Sequence, residues 1–195
     1  MNLPNKISVL RICMIPVFVA CFFCTAIPYN YAISAAIFAL AALTDALDGH
    51  IARKYNLVTN LGKFLDPIAD KVLVATAFIL MIAKYEIFGL FGYGYFVTGA
   101  VLVCVILARE LIISAFRQIA AADGIVLAAE KLGKYKTTFQ DVCIVVLLVS
   151  ASLVGTAQKV VSIVGLAFFA VAAVLTIISG VSYVVKNPSV LKTQK

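Results

Sequence analysis

Apolar residues along the chain gather into six long runs separated by short polar stretches, over 9–27, 32–47, 68–83, 95–119, 138–154 and 160–185. A membrane-crossing α-helix needs about 20 consecutive apolar residues to span a hydrocarbon layer of roughly 30 Å. The second run is short if cut at its first carboxylate; its helix is expected to continue through Arg53, carrying polar residues beyond the lipid. Residues 1–10 are too polar and too rich in Pro and Asn for the apolar core of a secretory leader, and the run after them is followed by more apolar segments, so it reads as the first span. Gly89, Gly92 and Gly94 mark a loop between the third and fourth spans. The pattern predicts an all-α, polytopic membrane protein of six transmembrane helices. With no low-complexity segment and no clear repeat, residues 1–195 read as one domain.

Composition supports this. Hydrophobic residues make up 64% of the chain and charged ones only 13%, more apolar surface than a soluble domain of this length can bury. The net charge of +7 then points to loops facing anionic lipid. No basic run is interleaved with stacking aromatics, so no nucleic-acid partner is expected. With both termini placed in the cytoplasm, fourteen of the sixteen Lys and Arg residues fall on that side, leaving Lys84 and Lys159 outside. Eight of the nine acidic residues share it, Glu86 being the exception. The chemistry-capable groups therefore gather at one face, the cytoplasmic face of the cell membrane. The five cysteines all sit within apolar stretches and read as packing residues, and with His50 as the single histidine neither a His-based triad nor a zinc cage is available.

The densest chemistry lies in 44–71, TDALDGHIARKYNLVTNLGKFLDPIADK. Asp45 and Asp48 are three apart and Asp66 and Asp70 four apart, so each pair shares one face of its helix. The short connection between Arg53 and Lys63 makes the two helices antiparallel neighbours, and their four carboxylates converge. Four carboxylates in one pocket repel one another unless cations compensate. Oxygen ligands without Cys or His favour Mg²⁺ or Mn²⁺ over zinc. Two such ions suit displacement at phosphorus, because they neutralise both the attacking and the leaving oxygens. Gly49, Ala52 and Gly62 leave room for close backbone approach, with Gly62 expected in the connection. Arg53 can fork onto a phosphate, and Pro67 is expected in the first turn of the third helix. A single aspartate near a membrane face is ordinarily a cap or a solvated end; a juxtamembrane cluster of four is functional by default.

The residues Asp45-x2-Asp48-Gly49-x2-Ala52-Arg53-x8-Gly62-x3-Asp66-x3-Asp70 fix eight positions across 26 residues and resemble, without departure, the signature of the CDP-alcohol phosphotransferases. The six-span layout with cytoplasmic termini is similar to that family as well. The resemblance implies that Asp45, Asp48 and Asp66 hold metal and the donor's diphosphate. Asp70, also near metal, would be the general base that takes the acceptor's hydroxyl proton. It further implies that Gly49, Arg53 and Gly62 line the nucleotide site, with Thr44 and Asn5 as additional candidates, and that the protein is a homodimer among membrane lipids.

A second constellation addresses the acceptor. Arg109 and Arg117, in ARELIISAFRQIAA, are eight apart, about two helical turns, and face the same way, with Glu110 able to orient an arginine. Lys134, Lys136 and Thr137 follow in GKYKT before the fifth span. Arginine forks and lysine charges converging there suit a phosphate on the acceptor, although some of this charge is also what any cytoplasmic loop carries. The pattern ARE-x6-R followed by GKYKTTFQ resembles the branch of the family that makes phosphatidylglycerophosphate from CDP-diacylglycerol and sn-glycerol 3-phosphate, releasing CMP. Two alternatives stay open: the same chemistry on another acceptor, such as an inositol phosphate or a phospholipid, and a cation transporter. The confinement of the acids to one face leaves a transporter without an evident through-path. Gln140 and Asp141 either support the site or cap a helix.

Overall fold

A computed structural model describes residues 3–54, 60–122 and 131–188, with side chains described over 5–44, 68–121 and 132–188. The described residues form helices only: α1 (Leu3–Phe23), α2 (Asn30–Lys54), α3 (Asn60–Ala83), the short α4 (Tyr85–Gly89), α5 (Tyr93–Ala122), α6 (Lys131–Ala151) and α7 (Gly155–Lys186). Three stretches, Asn5–Phe23, Tyr93–Ala121 and Gly155–Lys186, are long and apolar enough to cross a membrane, and Asn30–Thr44 is a shorter apolar stretch. α5 and α7 have 30 and 32 residues, about 45 Å at the α-helical rise. They exceed the hydrocarbon thickness, and their ends are free to carry polar groups. α3 and α6 spend their first turns on Asp, Lys and Gln, which shortens their apolar portions.

Local chemistry sets the helix ends. The Asn30 side-chain amide donates to the Phe22 carbonyl at 2.8 Å and satisfies an acceptor left open where α1 stops. Tyr29, one residue earlier, turns the chain with φ +56°. Gly92 (φ +125°) precedes α5 and Gly155 (φ +66°) opens α7; these left-handed conformations favour glycine.

Contacts along the helices fix their directions. Arg11 meets Ala41 while Phe22 meets Asn30, so α1 and α2 are antiparallel. α6 and α7 form the most extensive pair; Phe139 packs on Phe168 and Leu147 lies against Gly165, again antiparallel. Arg109 reaches Ser179 and Arg117 reaches Tyr183, so α5 and α7 run in the same sense. One end of the bundle therefore collects the start of α6 and the finishes of α5 and α7, and the charges of Asp70 and Lys71 act there from the start of α3. Five residues, 55–59, join α2 to α3, which tethers Lys54 within about 20 Å of Asn60.

The core is aromatic and aliphatic. Phe18, Phe22, Phe38, Phe78, Met81 and Phe88 are fully buried, and Phe169 stacks against both Phe78 (5.9 Å) and Phe88 (5.1 Å). Leu40, Leu43, Leu111, Ile112, Val181 and Val185 point outward, as expected where the surrounding solvent is lipid.

Several helix limits differ from the hydropathy runs. α1 begins at Leu3 rather than at residue 9, and α6 at Lys131 rather than at 138. Hydropathy marks only the lipid-buried part of a helix, whereas backbone hydrogen bonding continues into polar turns. α2 does continue past Arg53, ending at Lys54. Because α3 starts at Asn60, Gly62 lies in its first turn rather than in the connection, and Pro67 is its eighth residue rather than part of the first turn. The expected glycine loop is mostly helical: Gly89 ends α4, Gly94 lies within α5, and Gly92 alone sits between them. Gln140 and Asp141 lie in the third turn of α6, inside the helix rather than at its start.

Arg11 is fully buried and donates through Nε to the Ala41 carbonyl at 3.2 Å, clamping α1 to α2. We expect Arg11→Leu to cost about 2–4 kcal/mol, read as a lower midpoint of thermal unfolding in detergent. A Cβ on Gly165 would approach Leu147 Cδ2 to 2.7 Å, so Gly165→Val should separate α6 from α7 and cost about 1–3 kcal/mol. An unchanged midpoint in the same assay would contradict that close approach.

Candidate active site

Four helices contribute to one polar cluster at the end where α3 and α6 begin and α5 and α7 finish. Lys136, near the start of α6, is 5% exposed and forms a hydrogen-bonded ion pair with Glu110 of α5. The other Glu110 neighbour is Arg109, whose Nη1 donates to the same oxygen at 3.1 Å. Arg109 Nη2 donates to Ser179 Oγ on α7 at 2.9 Å. The run Lys136–Glu110–Arg109–Ser179 thus links α6, α5 and α7. Gly180 makes the last step possible: a Cβ there would lie 3.0 Å from both Cγ and Nε of Arg109. Arg109 Nε is buried without a hydrogen-bond partner.

Arg117 lies two turns further along α5. Its Nε donates to the Tyr183 hydroxyl at 3.0 Å, and its guanidinium carbon sits 5.0 Å from the centre of the Tyr183 ring. Tyr183 is 2% exposed and is held edge-on by Phe116 at 6.1 Å. Arg117 itself is exposed.

α3 brings Asp70 and Lys71, both partly buried, to the same place. Lys71 feels the charges of Glu110, Asp70, Arg117 and Arg109, and Lys136 feels that of Asp70. Among the described residues the cluster sets four cations, Lys71, Arg109, Arg117 and Lys136, against the two carboxylates of Asp70 and Glu110. The excess of two positive charges is suited to a dianion. Lys136 precedes the apolar stretch of α6; burial pushes its ammonium below the usual lysine range, and the Glu110 carboxylate opposes that shift.

The sequence-derived candidates divide into groups. Arg109, Arg117 and Lys136 belong to the cluster that also holds Lys71, Glu110 and Asp70. Lys134 is exposed and Lys136 buried, because residues two apart on a helix face opposite ways. Thr44 donates to the Ala41 carbonyl at 2.7 Å and accepts from Arg11 Nε at 3.5 Å, while Asn5 is buried in α1. Asp45, Asp48, Gly49 and Arg53 belong to α2, and Gly62 and Asp66 to α3. Their side chains lie outside the described residues, and so does the expected convergence of the four carboxylates. Among the described residues no group of three or more His, Cys, Asp or Glu could hold a metal.

Ser179 and Tyr183 were not singled out in the sequence. The signal available was a stripe of polar positions, Thr176, Ser179 and Tyr183, at helical spacing inside an otherwise apolar span. Lys71 was counted only as cytoplasmic charge, since a lysine at a membrane face ordinarily has no further role.

Comparison with known proteins identifies the family. Residues 1–182 match the family model for CDP-alcohol phosphatidyltransferase. A Bacillus subtilis (strain 168) protein named CDP-diacylglycerol–glycerol-3-phosphate 3-phosphatidyltransferase is 38% identical over 205 residues, covering 98% of each chain. Proteins of the same name from Rickettsia bellii and Salmonella paratyphi A are 37% identical over 182 residues (93% of each chain) and 39% identical over 186 residues (93% of this chain and 92% of the relative). An aspartate flanked by a surplus of cations at one end of a helical bundle, and a family match that runs through nearly all of it, place this chain in the CDP-alcohol phosphatidyltransferase family.

Proposed function

We propose that this protein transfers the phosphatidyl group of CDP-diacylglycerol to sn-glycerol 3-phosphate, giving phosphatidylglycerophosphate and CMP. The relatives' shared name supports the reaction. The observation that carries the choice of acceptor is the surplus of cations among the described residues of the cluster that includes Asp70, which favours a doubly charged phosphate over serine or choline. The six long helices are read as six spans, with both termini and the polar end at the cytoplasmic face of the cell membrane. The positive-inside distribution supports that orientation, and the family resemblance supports a homodimer.

Asp45, Asp48, Asp66 and Asp70 would hold two divalent ions, Mg²⁺ or Mn²⁺. The donor set fits hard cations, being all carboxylate oxygen. Helical spacing fits as well: the pairs lie three and four residues apart on helices joined by five residues. When bound, such ions neutralise the diphosphate of the donor and the charge that develops on the departing nucleotide.

The chain's own residues supply the rest. Arg117, Lys136 and Lys71 draw the acceptor's phosphate to the end of the bundle, with Arg109 holding Glu110 and α7 in place. Asp70 takes the proton from the C1 hydroxyl of glycerol 3-phosphate. The freed oxygen forms a bond to the β-phosphorus of the donor, and the bond from that phosphorus to the bridging oxygen breaks. CMP leaves with the bridging oxygen. Arg53, Gly49, Gly62, Thr44 and Asn5 line the nucleotide side. The acyl chains stay in the leaflet, so the pocket opens sideways to lipid.

The test is CMP release by purified protein given CDP-diacylglycerol and Mg²⁺ with each acceptor in turn. We expect glycerol 3-phosphate to support turnover and a chelator to stop it. Turnover with inositol phosphate or serine but not with glycerol 3-phosphate would overturn the acceptor assignment. Asp70→Asn should lower turnover by at least about 100-fold while the folded protein still binds the donor. Near-normal turnover in that variant would remove Asp70 from the role of base.

A further inference from the structure

The two arginines of α5 are held in different ways, and the difference separates their roles. Arg109 has both terminal nitrogens engaged, Nη1 by Glu110 and Nη2 by Ser179. It is a strut. Arg117 is held from the side, with Nε donating to the Tyr183 hydroxyl. That contact leaves its paired terminal nitrogens, the fork suited to two phosphate oxygens, outside the bond to Tyr183. Arg117 is also exposed, whereas its holder is 2% exposed and packed edge-on against Phe116.

We infer that Tyr183 is a positioning residue for the acceptor: its hydroxyl and ring fix the Arg117 guanidinium so that the terminal fork faces the acceptor's phosphate. This rests on the proposed phosphorylated acceptor. An unrestrained arginine loses rotamer freedom on binding unless that freedom has already been removed. Tyr183 removes it in advance with two restraints of different kinds. The hydroxyl accepts from Nε, and the ring face lies under the guanidinium at 5.0 Å. Because Tyr183 sits on α7 and Arg117 on α5, the packing of those two helices sets where the fork points. Tyr183 itself touches no reacting atom, so its influence belongs to acceptor binding and not to the chemical step.

The experiment compares wild type, Tyr183→Phe, Arg117→Ala and the double variant by steady-state kinetics, varying each substrate separately. Glycerol 3-phosphate is the acceptor, or inositol phosphate if that is the alcohol turned over. Tyr183→Phe keeps the ring, its packing against Phe116 and its face to the guanidinium, and loses only the hydroxyl. We expect it to raise KM for the phosphorylated acceptor about three- to tenfold, roughly the net value of one ordinary hydrogen bond. Its kcat and its KM for CDP-diacylglycerol should stay within about twofold of wild type. Arg117→Ala should raise the acceptor KM further, and adding Tyr183→Phe to it should change nothing more, because the tyrosine acts through that arginine. A raised acceptor KM in Arg117→Ala with an unchanged one in Tyr183→Phe would overturn this inference and leave the proposed function standing. An unchanged acceptor KM in Arg117→Ala, or no phosphorylated acceptor turned over at all, would overturn both. A fall in kcat with both KM values raised, or an equal further loss in the double variant, would show a purely structural role and overturn the inference.

Discussion

Everything at the polar end of this bundle depends on the ion pair between Lys136 and Glu110. An ammonium with 5% exposure beside apolar helices is costly unless a carboxylate meets it. Glu110 does so, and the same oxygen also holds Arg109, which runs on to Ser179. Three helices are registered against one another by this run of charge, and Arg117 with Tyr183 adds a second polar link between α5 and α7. Helices with uniformly apolar faces can slide or rotate at little cost in lipid. A buried charge pair cannot, because each displaced group would be left unsatisfied.

The chain of charges also explains where the chemistry sits. α5 and α7 run in the same sense, and α6 runs against α7. A polar group late in α5 can therefore meet polar groups early in α6 and late in α7 only at one end. Asp70 and Lys71, early in α3, arrive at that same end. The alternation of helices brings polar residues scattered over more than a hundred positions into one cluster. The opposite end receives Glu86 on α4 and the aromatic residues Tyr85, Tyr93 and Tyr95, which suits a membrane interface.

Two kinds of site residue differ in how far a sequence can show them. The aspartates of α2 and α3 announce themselves in the sequence because a carboxylate beside lipid demands a reason. Arg109 stood out likewise as a cation among apolar neighbours. Tyr183 and Ser179 did not, since a hydroxyl in a membrane helix commonly bonds its own backbone, as Thr176 does to Ala172. The opposite placement of Lys134 and Lys136 was readable in principle from their spacing once both are known to lie on a helix. Hydropathy started that helix at residue 138, past both of them, and so treated them as loop.

The sequence alone determined the all-helical character, the presence of apolar helices and the family signature on α2 and α3. These follow from local rules: hydrophobic runs, helical spacing, and the cost of charge in lipid all act over a few turns of one chain segment. Only the tertiary structure decided that Arg109 is a strut, that Arg117 is held by Tyr183, that Gly180 gives Arg109 its path across α7, and that Arg11 clamps α1 to α2. Those pairings join residues up to 70 positions apart. They are fixed by which helices pack together and in which direction, information that no single helix carries in its own pattern.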